Sequence, residues 1–397
     1  MPNSQNSNVA TPLAIEDIKK SGLDQAKLAT RLAFFIAGFG LSCWAPMVPY
    51  AKASVGANNA QLGLILLCLG FGSVLGMPIA GILSNRIGSK PVIIAGSLGL
   101  IMALPVLAIT PYASILGMAL FLLGLSLGAV DVATNVHGTV VQRIAGQPLM
   151  SGFHGLYSIG GLTGASVITL LLSLGLDLIT SALLASSVIL VVILIAARNF
   201  LKRQCLSSTQ KNKFKPHSSI FLLGILAFMI FMVEGAVLDW GAVLLTEVKH
   251  RPVSTAGAGY VIFALTMTIA RLVGDGFVMR AGNRNTLLIS AILTSLGIAI
   301  AAASQNMTLV LGGFGLAGFG AANIVPLLFS LAGSQTYMHG NQAIAITSTL
   351  GYLGVFAGPV IIGFLASLTD LTVAFGALAV LMIIAAGLSG AAARLSR

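Results

Sequence analysis

The chain has 397 residues, of which 57% are hydrophobic and only 8% are charged, and its formal net charge is +11. A soluble globular domain contains roughly 25% charged residues, so this composition excludes a water-soluble enzyme and indicates an integral membrane protein. The basic excess does not indicate nucleic-acid binding, because no soluble basic module is present to carry it. Orientation in a bilayer is the better explanation for these charges.

Apolar runs separated by charged or turn residues predict twelve transmembrane helices, because a spanning helix needs ~20 mostly apolar residues. The predicted spans lie near residues 28–51, 60–83, 91–109, 113–137, 149–173, 178–198, 218–246, 255–279, 286–304, 308–331, 342–366 and 370–393. Only helices fit, since these runs exceed the length of a barrel strand and backbone groups in lipid must be satisfied internally. The predicted fold is therefore an all-α membrane protein with both termini on one side.

Two polar segments divide the chain. A tail over residues 1–27 precedes a six-helix bundle at 28–198, and a linker over 199–217 precedes a second bundle and short tail at 218–397. Seventeen basic residues fall on the side of the termini and the linker, whereas only Lys52, Lys249 and Arg251 fall on the other. Because basic residues favour the cytoplasmic side, both termini and the linker are predicted to be cytoplasmic. The charged tail does not resemble a cleavable signal peptide, so we expect a multi-pass protein of a bacterial inner membrane.

The two halves of the sequence contain an internal repeat. An offset of 194 aligns the Arg86, Gly88 and Lys90 pattern with Arg280, Gly282 and Arg284, and also aligns Gly160 and Gly164 with Gly354 and Gly358. Offsets of 196 and 192 pair Trp44 with Trp240 and Asp131 with Asn323. A parallel six-plus-six repeat predicts two similar bundles around a central cavity that is opened to each side in turn. The glycine pairs are predicted to serve close helix packing.

The loop after the second span, GILSNRIGSKP over residues 81–91, resembles the signature of the major facilitator superfamily, and RLVGDGFVMRAGNR repeats it in the second half. Asn85 and Met279 stand where the signature has an acidic residue. The fourth span, GLSLGAVDVATN, is similar to that of the fucose and proton symporter branch. This resemblance implies a twelve-helix transporter that moves a small, polar, sugar-like solute together with protons.

Charged residues near the loops are predicted to act in gating. Gly88 permits a tight turn, and the basic residues beside it either anchor the loop at the headgroups or lock one state of a gate. Arg271 and Asp275 lie four residues apart on the eighth span and are predicted to form a structural or gating ion pair. The full gating set is Gly81, Asn85, Arg86, Gly88, Lys90, Arg271, Asp275, Arg280, Gly282 and Arg284.

Ionisable residues inside the bilayer are predicted to carry the proton, because each costs ~2.5–3.5 kcal/mol at a helix centre and must face a cavity or a partner. Asp131, Glu234 and His154 form this set. Asp131 falls in the cytoplasmic half of its predicted span, where it could alternatively make a helix-to-helix hydrogen bond. His154 either pairs with Asp131 or packs as a hydrogen-bonded histidine. The seventh span is longer than a membrane crossing needs, so it is predicted to tilt, to protrude or to break, with Glu234 and Gly235 as the candidate break. Glu234 is expected to act either in coupling or in solute binding.

Polar and aromatic residues of the spans are predicted to contact the solute. Asn135 shares a helix face with Asp131, so amide and carboxylate can bind hydroxyl groups together. The two tryptophans either stack on the solute or belong to the aromatic belt at the membrane interface. Asp239 is expected in an outer vestibule or as a cap. The predicted solute-binding set is Trp44, Asn135, Tyr157, Asp239, Trp240, Asn323 and Tyr352.

These patterns predict a secondary transporter, most simply a proton-coupled symporter of a small polar solute that works as a monomer in the lipid bilayer. The alternatives are a proton-driven drug or metabolite exporter and, more remotely, a membrane sensor that binds without transport. Ala165 stands where the exporter family has the proline of a Gly-Pro pair, which argues against the exporter. The sequence has no nucleotide loop, metal-ligand cluster or nucleophile elbow, so no enzyme, cofactor, metal or nucleic-acid partner is expected.

Overall fold

The computed structural model describes residues 20–147, 149–201, 218–335 and 340–394. These residues form α1 Lys20–Ser42, α2 Trp44–Ser54, α3 Asn59–Ile87, α4 Ser89–Ile109, α5 Ala113–Ala145, α6 Met150–Ser173, α7 Leu178–Ala197, α8 Ser218–Val243, α9 Ala258–Ala303, α10 Met307–Ala321, α11 Ile324–Ser334, α12 Gly340–Leu368 and α13 Leu371–Ala393. A π-helical turn, Leu244–Val248, follows α8, and a 3₁₀ turn, Val253–Thr255, precedes α9.

Twelve segments of the described chain are long and apolar enough to cross a membrane, which confirms the predicted number of spans. The pairs α1 with α2 and α10 with α11 each form one span, and α9 contains two spans that meet at Gly282. Large apolar side chains such as Phe71, Met118 and Leu194 are exposed on the outer surface of the bundle. A lipid environment explains this exposure, because such residues face hydrocarbon at no cost.

The fourth span is longer than the sequence predicted. α5 continues to Ala145, whereas the predicted span ended at residue 137. Asp131 therefore lies close to the middle of its helix rather than near one end. The position of Asp131 in the cytoplasmic half of the membrane stays a prediction.

Two spans that were predicted to be continuous are interrupted. The first breaks at Cys43, between α1 and α2, and the tenth breaks at Ala322 and Asn323, between α10 and α11. Proline explains both breaks, because its ring clashes with the carbonyl group four residues earlier and its nitrogen has no hydrogen to donate. Pro46 thus disturbs the turn at Ser42, and Pro326 frees the carbonyl of Ala322.

The seventh span does not break where the sequence predicted. α8 runs without interruption through Glu234 and Gly235 to Val243, and the departure from α geometry is the π turn Leu244–Val248. Gly235 instead lies close to α12, where a Cβ atom added to it would be 3.7 Å from Val355 Cα. At that distance a Cβ atom would make ordinary van der Waals contact with α12, and α8 continues through Gly235 without a break.

The repeated glycines have matching geometry in the two halves. Gly88 and Gly282 both adopt positive φ angles, 91° and 75°, in the connections that join α3 to α4 and the two spans of α9. Glycine adopts this conformation without steric penalty, unlike other residues. Side chains at Gly160 and Gly354 would overlap the carbonyl oxygens of Phe35 on α1 and of Phe228 on α8. The predicted close packing of these helices is confirmed.

His137 anchors the chain that leaves the first six spans. Its side chain is buried, its Nε2 atom accepts a hydrogen bond of 3.0 Å from the Leu201 amide, and its Nδ1 atom lies 2.9 Å from Thr30 Oγ1. The Thr30 hydroxyl donates to the Ala26 carbonyl at 2.8 Å, so it accepts from Nδ1–H. Both ring nitrogens are therefore used by a neutral imidazole. Phe200 packs against the ring, with centroids 5.1 Å apart.

The orientation of the bundle can be tested by fusions. Because the basic residues lie on the side of the termini and the linker, we expect reporters fused after Phe200 and after Arg397 both to be cytoplasmic. Alkaline phosphatase and green fluorescent protein fusions at each point measure this directly. A reporter fused after Gly56 serves as the control, and it should give the opposite signal. A periplasmic signal after Phe200 or Arg397 would contradict the charge argument.

Candidate functional site

The two halves meet tightly at one end of the bundle, which we call the distal end because it lies opposite the linker. Trp44 Nε1 of α2 donates to Asp239 Oδ1 of α8 at 3.2 Å, and the Ser42 and Tyr260 hydroxyls are 3.1 Å apart. Trp44, Trp240 and Asp239 are buried. Burial of both tryptophans excludes the aromatic-belt alternative. It also places them in the closed distal contact, away from any opening, so they do not line an accessible solute site in this state.

Charged groups and glycines complete the distal contact. Lys52 of α2 forms an ion pair with Glu247 of the π turn and also donates to Asn59. At the crossing of α3 and α12, a Cβ atom on Gly63 would lie 2.8 Å from the Pro359 carbonyl oxygen. One on Gly363 would lie 2.6 Å from the carbonyl oxygen of Asn59. The helix backbones therefore approach as closely as glycine allows.

Polar side chains from both halves gather deeper in the bundle, and we call this group the central site. Asp131 and Asn135 come from α5 and Tyr157 from α6, whereas Glu234 comes from α8, Tyr260 and Arg271 from α9 and Tyr352 from α12. Asp131, Tyr352, Tyr260 and Arg271 all lie within electrostatic range of the Tyr157 hydroxyl. Asp131 and Glu234 both lie within range of Tyr352. The fold thus brings carboxylates from opposite halves to one place.

The Asp131 carboxylate is held by its own helix. Asn135 Nδ2 donates to Asp131 Oδ1 at 3.2 Å and to the Asp131 carbonyl at 2.9 Å. The side chains of Asp131 and Asn135 are half-buried. The shared face that the spacing predicted is therefore formed, with the amide fixed beside the carboxylate.

Arg271 makes two contacts that the sequence did not predict. Its Nη1 atom donates to Ser158 Oγ of α6 at 3.3 Å, and its Nε atom donates to the Ala322 carbonyl at 3.3 Å. The second acceptor is the carbonyl that Pro326 frees at the break between α10 and α11. Arg271 thus joins the two halves and belongs to the central site. The predicted partner, Asp275, has a side chain outside the described part of the structure.

Glu234 lies at the midpoint of the span Ile220–Val248, and its Oε1 atom is buried without a hydrogen-bond partner in the described structure. Arg271 is within electrostatic range of it. The sequence had assigned Glu234 no neighbour of opposite charge. Packing of α8 against α9 supplies one that periodicity along a single helix could not reveal.

The remaining predicted site residues lie around this group. His154 is exposed and packs edge-on against Phe34, with ring centroids 4.8 Å apart, and its electrostatic neighbour is Arg271. No described hydrogen bond joins His154 to Asp131, so the predicted pair is not formed here. Asn323 is half-buried beside Gly274, where a Cβ atom would overlap its Oδ1 atom. Tyr352 stacks on Phe231, with centroids 5.5 Å apart.

The predicted gating residues lie at the linker end of the bundle. Asn85, Arg86, Arg280 and Arg284 are exposed, and Gly81 and Lys90 are half-buried. Arg284 approaches α13, where its Nε atom would be 3.5 Å from a Cβ atom on Gly390. These residues therefore lie outside the central site, unlike Arg271.

Sequence reasoning missed several contacts between the halves, which involve Ser42, Ser158 and Tyr260, the Lys52–Glu247 ion pair, and Gly63 and Gly363 at the helix crossing. A tyrosine and two serines in apolar spans are weak signals, because such residues commonly bond to their own helix. A search of the described residues for groups of histidine, cysteine and acidic side chains that could bind a metal finds none.

Two polar-lined halves that meet at one central site define a membrane transport protein rather than an enzyme. The family model described as Major Facilitator Superfamily matches residues 31–273, and the chain belongs to that superfamily. An uncharacterized MFS-type transporter of Yersinia pestis is 42% identical over 374 residues, which cover 94% of this chain and 97% of that protein.

Other similar proteins are transporters as well. The uncharacterized transporter y4wD of Sinorhizobium fredii is 30% identical over 346 residues, which cover 86% of this chain and 91% of that protein. Among solved structures, a mutant of the nucleoside transporter NupG has a TM-score of 0.74 at 15% identity and covers 94% of this chain and 99% of that one. At this identity the likeness concerns the fold alone.

Proposed function

We propose that the chain is a proton-coupled symporter of a small polar solute. The observation that supports this most is that Asp131 and Glu234, from opposite halves, both lie within electrostatic range of one tyrosine hydroxyl, that of Tyr352. A membrane-embedded carboxyl group is stable only when it is protonated or paired, so its charge can be made to depend on the state of the transporter. Two such groups at the interface of the halves suit a protein that couples proton movement to rocking of those halves.

Asp131 is the coupling group of this proposal, and Glu234 and His154 remain the other predicted ones. Asn135 keeps the Asp131 carboxyl oriented, while movement of the opposite half alters what faces it. A proton bound in one state can then be released in the other. The solute binds among Asn135, Tyr157 and Tyr352, whose amide and hydroxyl groups suit hydroxyl-bearing molecules.

The distal contacts support an inward-facing assignment for this structure. Trp44 with Asp239, Lys52 with Glu247 and the glycine crossing of α3 and α12 close the distal end. Under the predicted orientation, the distal end is periplasmic. The central site is then reached from the cytoplasm, where His154 is exposed.

Proteoliposomes that contain a pH-sensitive dye test the proposal. We expect a downhill gradient of the right solute, applied from a panel of sugars, nucleosides, organic acids and amines, to move protons in the same direction as the solute. Protein-free liposomes are the control. Proton movement opposite to the solute would favour the exporter, and solute flux without proton movement would contradict coupling.

The basic residues of the linker end provide a separate test of gating. Replacing Arg280 by Ala should shift the balance between inward-open and outward-open states a few-fold, since exposed charge interactions contribute about 0–1 kcal/mol. Cysteine accessibility measured on both faces reports this balance. Arg143→Ala removes an exposed arginine of the same end outside the repeated motif and is the matched control. Equal accessibility in both variants would show that Arg280 only anchors its loop.

A further inference from the structure

Glu234 differs from the other acids of the spans in its surroundings. Asp131 accepts a hydrogen bond from Asn135, and Asp239 accepts one from Trp44. Glu234 Oε1 is removed from solvent, yet no donor among the described residues reaches it. A buried carboxylate oxygen without a donor costs several kcal/mol, so an ionised Glu234 needs a donor from outside the protein, which water or a bound solute can supply.

The nearby cation does not fill this role. Arg271 lies within electrostatic range of Glu234, but its described hydrogen bonds go to Ser158 and to the Ala322 carbonyl. No ion pair of the described residues includes Glu234. The Tyr260 hydroxyl is also in range and is already engaged with Ser42. Arg271 is therefore engaged with other groups and forms no described hydrogen bond with the Glu234 carboxylate.

The described side chains of the central site include more acidic groups than basic ones. Among the described side chains, Asp131 and Glu234 contribute two carboxyl groups, and Arg271 contributes one cation, whose described hydrogen-bond acceptors are uncharged. With a proton on Asp131, Glu234 still presents an unpaired acceptor at the midpoint of its span. An anionic group placed there would meet repulsion and leave Oε1 without a donor, whereas an ammonium group would satisfy it.

We propose that Glu234 binds a cationic group of the transported solute, so that the substrates are polar molecules that carry a protonated amine. This inference rests on the proposed function, in which Asp131 carries the coupling proton. It assigns Glu234 to solute recognition and predicts that solutes with a carboxylate or phosphate in the same position are rejected.

Charged thiol reagents measure this property without knowledge of the solute. In a variant with Cys43→Ala, Cys68→Ala and Cys205→Ser, the reporter Phe231→Cys places a thiol next to Tyr352 and three residues before Glu234 on the same helix. The purified protein is treated with the trimethylammonium-ethyl and the sulfonato-ethyl methanethiosulfonates, and each rate is divided by the rate for free mercaptoethanol. We expect the cationic reagent to be favoured about tenfold, the size of effect that one nearby unit charge produces.

Two substitutions show which carboxyl group is responsible. Adding Glu234→Gln should remove most of the preference, whereas Asp131→Asn, the matched control, should remove less of it. If Phe231→Cys does not fold, Tyr352→Cys provides a second reporter, at which Asp131→Asn should also lower the preference because Asp131 is the larger electrostatic neighbour of Tyr352. Equal rates for the two reagents, or a preference that survives Glu234→Gln, would overturn the inference.

The outcome is separable from that of the proposed function. Solute-driven proton movement together with equal reagent rates would leave the symporter proposal in place and refute the role of Glu234. A cation preference that depends on Glu234, together with solute flux that moves no protons, would refute coupling and support the recognition site.

Discussion

Replacing Asp131 by Asn is expected to abolish solute-driven proton movement while exchange of solute across the membrane continues. The amide keeps the shape of the carboxyl group and can still bond with Asn135, but it cannot take up a proton. Exchange requires only that the solute-loaded site reach both sides, whereas net coupled transport also requires the proton to be released. Dye-loaded proteoliposomes measure the solute-driven proton movement, and counterflow of labelled solute measures the exchange.

The same chemical change outside the membrane provides the control. Asp177 caps α7 and accepts hydrogen bonds from the backbone and hydroxyl of Thr180, which lower the pKa of its carboxyl group. It therefore stays ionised through the working range of pH. Asn is an equally good helix cap, so Asp177→Asn should leave both activities unchanged. If Asp131→Asn retains full proton movement, then coupling lies at another group, of which His154 is the first to test.

Replacing Gly363 by Val should prevent closure of the distal end and leave the protein open on that side. The new side chain would collide with the Asn59 carbonyl and with Trp240, whose Cζ2 atom lies 3.1 Å from the position of a Cβ atom. Overpacking costs typically 1–3 kcal/mol, so we expect the closed state to lose on the order of tenfold or more in population. Transport should fall accordingly, and a cysteine near Lys52 should react faster with a membrane-impermeant reagent.

The control for this substitution is Gly376→Val in α13, because a Cβ atom there would meet no atom within 4 Å. It adds the same apolar volume and β-branching to a spanning helix without touching the contact between the halves. Unchanged labelling near Lys52 in a folded Gly363→Val protein would show that the crossing of α3 and α12 does not control distal closure.

The number of spans and the repeated loops could be predicted from sequence because they depend on local properties. Hydropathy and length define a span, and a glycine between basic residues marks a tight turn, so Gly88 and Gly282 were assigned to equivalent positions. The interruptions near Cys43 and Asn323 also had a local signal in Pro46 and Pro326. Hydropathy does not contain this signal, which is why both spans were predicted as continuous.

The central site was only partly predictable, because it depends on how helices face one another. Asp131 and Asn135 were expected together, since four residues along one helix fix their relation. The predicted pair of Arg271 with Asp275 lies outside the described side chains, whereas the contacts of Arg271 with Ser158 and the Ala322 carbonyl were not predicted. The approach of α6 and α10 to α9 determines these two partners of Arg271. Neither partner can be predicted from the sequence of the eighth span alone.

The anchor at His137 has a consequence for biosynthesis. The anchor joins Thr30, His137 and Leu201. All three residues are present once the ribosome has made the first half of the chain. The end of the first bundle can thus be fixed before the second bundle is inserted, as is general for domains that fold in order of synthesis. A loss of this anchor would then appear as misassembled nascent protein and lower yield, even where the mature transporter works normally.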